Sequence, residues 1–384
     1  MLAALIGTAS AGSLLRPASS VRRAAQPRSC TRSGSHGIVA QQAGLASDIG
    51  IGSSEWLRQN TDEALTDVLE SLLDSCAVVA TKVRTASCDS TACFSPLGGD
   101  EEDEMAVDVL ANELLVNGLC ETRRVASISS ESDGIQQYRA GAEGGAGFAV
   151  AIDPLSGSSI IDTNFAVGTI FGIWKGSTLQ NVTGRELLAA GVALYGPRTT
   201  LTIALADRPG AHEFLLVEEA VGGSSGRWSA SNTFDSMREG KLFAPQNLRA
   251  SATHEGYARL LDYWRTQEYT LRYTGAAAVD ACQLLVKGFG IFAAPASIGQ
   301  RAPLRLLYQA MPLAFLTEKA GGASSDGERS LLDVPMRNTD HRTQVALGSP
   351  DEVRRFEEMV GPSPIQGWIA ASARSDGWAT WTRS

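Results

Sequence analysis

An aspartate that closes an apolar run, followed by proline and then by Gly-Ser-Ser, is the part of this chain best equipped for chemistry. In DPLSGSSIIDTNFAVGTIFGIW (153–174), Asp153 offers a carboxylate, and Gly157, Ser158 and Ser159 offer backbone N–H groups at one turn. Such a turn can hold a cation and a phosphate together, because the N–H dipoles face an anion while the carboxylate faces the ion beside it. On its residues alone the same string also suits a plain turn. A second candidate is CDSTAC, in which four residues separate Cys88 from Cys93. Their Cα atoms can reach disulfide range if the loop bends, although two free thiols are the usual state in a reducing compartment. The four histidines do not cluster, and no Cys/His spacing typical of zinc is present.

These residues need elements to position them. Apolar runs ending at Asp153, Trp174, Gly196 and Ala206 read as strands. Before them, TDEALTDVLESLLDSCAVVATKV places Ala64, Val68, Leu72, Cys76 and Val79 on one helical face, with Asn60 and Glu63 at capping-box spacing. A second helix is expected from Asp103 to Asn117, with Met105, Ala106, Val109 and Leu110 inward and Gly118 ending it. Further helices are expected at TGRELLAA, AVDACQLLVK, LLYQAMPLAFLTEKA closed by Gly321 and Gly322, and PDEVRRFEEMV behind a capping box of Ser349 and Glu352. Helices and strands in mixed order imply a layered α/β (α+β) architecture. Cys76 and Cys282 fall on apolar helical faces and read as core residues. The Trp-containing stretch 361–384 lacks periodicity and reads as a tail.

Composition narrows the partners. A formal net charge of −9 argues against a nucleic-acid backbone, which demands a clustered cationic face. No apolar run reaches the ~18 residues that would span a bilayer. Residues 1–47 hold five Arg and eight Ser and no acid, the composition of an organelle targeting segment. Without those five positive charges the remaining net charge falls from −9 to −14. Ala9, Ser10 and Ala11 behind a short apolar stretch also suit a signal-peptide cleavage site, so a two-part presequence fits, as does a plain disordered tail.

The 153–174 segment resembles the DPLDGSS motif of the fructose-bisphosphatase, sedoheptulose-bisphosphatase and inositol-phosphatase superfamily. FAPQNLRA from Phe243, YTLRYTG from Tyr269, GIFAAP from Gly290 and LRLLYQAMPLAFLTEKAGG from Leu304 resemble the plastid sedoheptulose branch, so the likeness spans roughly residues 55–360. It implies a layered α/β/α/β/α sandwich with two subdomains, 48–240 carrying the redox loop and phosphate motif and 241–360 binding the sugar phosphate. It also implies Mg²⁺-dependent hydrolysis of the 1-phosphate of sedoheptulose-1,7-bisphosphate, and of fructose-1,6-bisphosphate as a further substrate, in plastid carbon metabolism.

Carried over position by position, the resemblance assigns Asp108, Glu131 and Asp153 to catalysis, and Glu131, Asp153 and the Leu155 carbonyl to metal. Ser132, Ser156 and Gln309 stand where the family has acids, and Pro303 where it has a lysine. A carboxylate ~2.1 Å from Mg²⁺ contributes on the order of 8 kcal/mol per unit charge of the ion at an effective dielectric near 20, before desolvation. Neutral Ser and Gln oxygens can ligate without supplying that charge, so one weakened cation site is expected to persist and another to be nearly abolished. Gly157, Ser158, Ser159, His254, Tyr257, Arg272, Tyr273 and Arg305 match phosphate and sugar contacts, with His254 replacing an Asn. Arg272 matches a residue that reaches into a neighbouring subunit, which implies a homodimer or a mixed dimer with a complete relative. Cys88 and Cys93 match a thioredoxin-reduced switch in a plastid stroma. The resemblance implies a sugar bisphosphatase as the primary function, with a catalytically impaired sugar-phosphate-binding or regulatory subunit in mixed dimers as the alternative.

Overall fold

Alternate residues of the central strands enter different hydrophobic cores, and this period of two builds the layers. A computed structural model describes the protein over residues 48–85, 106–137, 147–217, 227–299 and 301–364. The first sheet joins β1 (Val125–Ser130), β2 (Gly134–Gln137), β3 (Phe148–Ser156), β4 (Val167–Lys175), β5 (Leu187–Tyr195), β6 (Thr199–Leu205), β7 (Ala211–Val217) and β8 (Arg227–Phe234) in the order β2-β1-β3-β4-β5-β6-β7-β8. Val150, Ile152, Phe171 and Ile173 pack with α1 (Ser53–Asn60), α2 (Glu63–Thr85) and α3 (Ala106–Glu121). On the opposite face Ala149, Ala151, Ile170 and Trp174 pack with helices α5 (Ala277–Lys287) and α6 (Met311–Lys319).

The second sheet repeats the logic. It pairs β9 (Arg238–Pro245), β10 (Thr270–Leu271), β11 (Phe289–Ala294), β13 (Ala323–Ser325) and β15 (Val345–Gly348) in the order β10-β9-β11-β15-β13. Phe292 and Ala294 join the core that contains α5 and α6, whereas Ile291 and Ala293 turn toward α4 (Glu255–Thr266) and α7 (Pro350–Met359). A two-stranded ribbon of β12 (Leu304–Arg305) and β14 (Arg342–Thr343) completes the pairing. The result is the expected α/β/α/β/α sandwich, and all described residues belong to one compact unit, Leu45–Ser384. No helix among the described residues is long and apolar enough to cross a membrane.

Several local expectations are corrected. TGRELLAA forms only a short 3₁₀ turn, Gly184–Glu186, and then strand β5, because its apolar half pairs with β4 and β6 and is buried on both sides. Gly118 does not end α3 but lies within it, where a Cβ would stand 2.6 Å from the Ser75 hydroxyl, so the glycine permits close approach to α2. The buried face of α3 is Ala111, Asn112, Leu115 and Leu119; Ala106, Val109 and Leu110 are half-buried, and Met105 lies outside the described residues. Asp62 caps α2 by accepting the Leu65 N–H at 2.7 Å, whereas Asn60 ends α1 and its side chain donates to the Trp56 carbonyl. The Ser349 hydroxyl donates to the Arg238 carbonyl, 2.7 Å, in place of capping α7, and Glu352 is fully buried against Tyr269 and Trp264. Cys76 and Cys282 are buried, as their helical faces require. Cys88, Cys93 and the Trp-containing tail beyond residue 364 lie outside the described residues.

Candidate functional site

Parallel pairing of β1 with β3 sets Ser130 beside Ile152, so the next residue on each strand is an acid, Glu131 and Asp153. The Glu131 N–H donates to the Ile152 carbonyl at 3.0 Å and fixes that register beyond the end of β1. Past Asp153 the pairing of β3 with β4 shifts, which breaks the pleat where Pro154 and Leu155 lie. Thr169 on β4 donates its hydroxyl to the Pro154 carbonyl at 2.7 Å and also meets the Tyr195 hydroxyl at 2.7 Å, tying the turn to the sheet core. Gly157 follows at φ +88°, a left-handed conformation, and a Cβ there would lie 2.4 Å from the Ala276 Cβ. Only glycine suits both demands. Ser158 and Ser159 open a single 3₁₀ turn, Ser158–Ile160, so their N–H groups precede its internal bonds.

The third contributor comes from far along the chain. Leu306–Ala310 is a π-type turn that widens the start of α6, as Pro312 in the first turn of that helix lacks an N–H to donate. This turn aims Gln309 at the two acids. Its Nε2 donates to Asp153 Oδ2 at 2.8 Å and to Glu131 Oε2 at 3.2 Å, while its Oε1 accepts the Arg305 N–H at 3.1 Å. Arg305 completes the group with its Nε 3.3 Å from Glu131 Oε1 and its Nη1 donating to the Glu131 carbonyl at 2.9 Å. Asp153 is 3% exposed. Burial first, then the Glu131 charge, push its carboxyl well above the usual carboxylate range, with Gln309 and Ser156 pulling it back and Asp108 on α3 adding repulsion.

The family's Mg²⁺ cluster does not fit this donor set. The Gln309 amide presents hydrogens to both carboxylates, Ser132 is exposed, and Leu155 and Ser156 are buried in β3. Among the described residues no group of three or more His, Cys, Asp or Glu side chains is arranged to hold a metal ion. Asp133, the nearest further acid in sequence, accepts instead from the Asn112 amide on α3.

The expected sugar-side residues fall on the second sheet and its helices. His254 caps α4, its Nδ1 accepting the Tyr257 N–H at 3.3 Å, and burial lowers its pKa. Tyr257 is fully buried and donates its hydroxyl to the Gln246 carbonyl at 3.0 Å. Arg272 and Tyr273 are exposed at the end of β10. The residue holding them in place escaped sequence reasoning: Asp280, fully buried on α5, accepts the Thr274 N–H at 2.8 Å and the Gly275 N–H at 3.0 Å. Gln283 adds a bond to the Arg272 carbonyl at 3.1 Å. This clamped segment ends at Ala276, which abuts Gly157, so the phosphate turn and the Arg272 segment share one support. Asp340 and Arg342 were also missed; Asp340 lies 3.8 Å from Arg305 Nε and 3.5 Å from Arg342 Nε.

Comparison with known proteins bears on the family and the fold. Residues 48–225 match the model described as Fructose-1-6-bisphosphatase, N-terminal domain, and residues 237–361 the C-terminal domain. The chain is 44% identical over 350 residues to the chloroplastic sedoheptulose-1,7-bisphosphatase of Spinacia oleracea, covering 90% of this chain and 88% of that protein. It is 46% identical over 320 residues to the chloroplastic sedoheptulose-1,7-bisphosphatase of Chlamydomonas reinhardtii, covering 82% and 79%. The crystal structure of Leishmania major fructose-1,6-bisphosphatase in holo form superposes with a TM-score of 0.72 at 22% identity, covering 81% of this chain and 99% of that one; at that identity the likeness concerns the fold.

Proposed function

This chain belongs to the fructose-1,6-bisphosphatase class 1 family of sugar bisphosphatases, on its sedoheptulose-1,7-bisphosphatase side, and from that premise we propose that it is a plastid receptor for ketose bisphosphates with only residual hydrolysis. Sedoheptulose-1,7-bisphosphate is the first ligand proposed and fructose-1,6-bisphosphate the second. The observation that carries this is the split within the site. The Gly157 turn keeps a left-handed geometry suited to phosphate and Arg305 lies against Glu131, whereas Glu131 and Asp153 share the Gln309 amide and, with Asp108, are the acids that remain there. The exposed Arg272 supports a role across a dimer interface, in a homodimer or beside a complete relative. Control by a thioredoxin-type reductant at Cys88 and Cys93 belongs to the same proposal.

The second reading is full hydrolysis of the 1-phosphate with Mg²⁺. It is favoured by the retained Asp108, Glu131 and Asp153 and by the activities named for the relatives. Release of inorganic phosphate from sedoheptulose-1,7-bisphosphate by the reduced full chain in Mg²⁺ separates the two. The receptor reading expects turnover far below one per second together with saturable ligand binding. Turnover in the ordinary enzyme range of ~1 to 10³ per second overturns it.

A further inference from the structure

Resting on the reading that this pocket receives a ketose bisphosphate, we propose that Gln309 stands in for a divalent cation, so that the site takes the phosphorylated sugar without metal. A primary amide is a neutral group that offers two donors from one nitrogen. Gln309 uses that nitrogen on Asp153 at 2.8 Å and Glu131 at 3.2 Å, bridging the two carboxylates as a cation would. Its orientation is determined by its own oxygen, which accepts the Arg305 N–H at 3.1 Å. The flipped amide would set an oxygen against two carboxylates and a donor against an N–H, so the network permits one arrangement.

An ionised glutamate at 309 would instead add a third acceptor to a pair that already repel, and that arrangement requires a cation for stability. Charge points the same way. Relative to the family pattern, Ser132, Ser156 and Gln309 remove three negative charges and Pro303 removes one positive charge, so the pocket is less negative before any ion binds. Arg305 supplies a fixed positive charge 3.3 Å from Glu131, and Arg342, paired with it across β12 and β14, carries a second guanidinium on the far side of Asp340. An anionic phosphate therefore meets two guanidiniums beside acids that are already hydrogen-bonded, where the family pattern without metal would present carboxylates with no such donor.

The test uses the full reduced chain and two probes, fructose-1,6-bisphosphate and Mn²⁺, followed by calorimetry. Sugar affinity of the unaltered chain is expected to agree within ~3-fold between excess EDTA and Mg²⁺, and Mn²⁺ alone is expected to show no stoichiometric binding. Gln309→Glu is expected to gain Mn²⁺ binding and to bind the sugar at least ~10-fold more weakly in EDTA than in Mn²⁺. Ser156→Asp, with folding checked by melting, provides an independent variant with the same expected direction. Sugar binding that EDTA abolishes in the unaltered chain overturns the proposal, as does stoichiometric Mn²⁺ binding by that chain. Sugar binding in neither buffer sinks the receptor reading itself, while the Mn²⁺ comparison of Gln309 with Gln309→Glu still decides whether the amide replaces an ion.

Discussion

Replacing Asp280 with Asn tests whether one buried carboxylate sets the separation of the two elements proposed to bind the substrate phosphates. Asp280 accepts two backbone N–H groups through its two oxygens, from Thr274 and Gly275, and has no exposure to water. Asn keeps one acceptor oxygen and turns an NH₂ toward the other N–H, so one charge-assisted bond is lost and one buried donor is left unmatched. Charge-assisted bonds contribute about 1.5–3 kcal/mol each, and an unmatched buried donor costs about 1–3 kcal/mol, so a net loss of about 2–4 kcal/mol is expected. At the ~2–4 °C per kcal/mol of larger domains, Tm should fall by roughly 5–15 °C. Unfolding alone would not reveal positioning. The informative assay compares fructose-1,6-bisphosphate with inorganic phosphate, at a temperature where the variant is folded. Because Arg272 and Tyr273 lie on the loosened segment while Gly157 keeps its own left-handed geometry, bisphosphate affinity should drop ~10-fold and phosphate affinity less than ~2-fold. Equal losses for both ligands, or a lower Tm with both affinities intact, would refute the claim that Asp280 positions the distal contact.

Other outcomes follow from particular contacts. His212 is buried between Trp56, Arg208 and Thr233, and burial first, then the Arg208 charge, lower its pKa from 6.5 to about 4. Its folded pKa lies below its unfolded one, so its neutral form contributes stability above pH 6.5 that is lost as pH falls toward 4; the gap is worth about 3 kcal/mol. Denaturant titrations of His212→Phe across that window should show a flatter loss of stability than the unaltered chain, and parallel slopes would refute the assignment. Gly157→Ala combines a left-handed residue with a Cβ 2.4 Å from the Ala276 Cβ, so about 2–4 kcal/mol of destabilisation and loss of phosphate binding should appear in melting and calorimetry. Restoring Ser132→Glu, Ser156→Asp and Gln309→Glu together should raise phosphate release in Mg²⁺ by at least ~10²-fold, about 2.7 kcal/mol of barrier. No increase in a folded triple variant would show that the defect lies outside these positions.

How far the sequence can be read depends on whether the deciding contact is local. The runs ending at Asp153 and Trp174 are visible as strands because β3 and β4 are buried on both faces, which demands unbroken apolar composition. LLAAGVALY has the same property, but a helix-like TGRE precedes it, and only pairing with β4 and β6 decides for strand. Gly118 reads as a stop and Ser349 with Glu352 as a cap because local patterns carry no record of α2 pressing on α3 or of Tyr269 waiting for a carboxylate. Asp280 was hidden more thoroughly: an acid in the first turn of a helix is ordinarily explained by the helix dipole, and that explanation is complete without any buried segment to hold.

The site itself shows the same division, and on the proposed reading it is what would let binding and turnover separate. The phosphate recognition proposed for Gly157 and its neighbours rests on backbone conformation and on contact with Ala276, neither of which depends on the side chains at 132 and 309. On the proposed reading, metal recognition would weaken with the charge at positions 132, 156 and 309, because neutral Ser and Gln oxygens do not supply it. Gln309 adds a selective step to that picture. An amide there is more than a lost acid, because it donates to Glu131 and Asp153 and is itself oriented by the Arg305 backbone, giving the pair a hydrogen-bonded resting state. Simple decay of a metal site would leave repelling carboxylates with no such partner, whereas here the remaining acids have one. That network is what the proposed binding function would use in place of an ion, while the phosphate turn serves binding and hydrolysis alike.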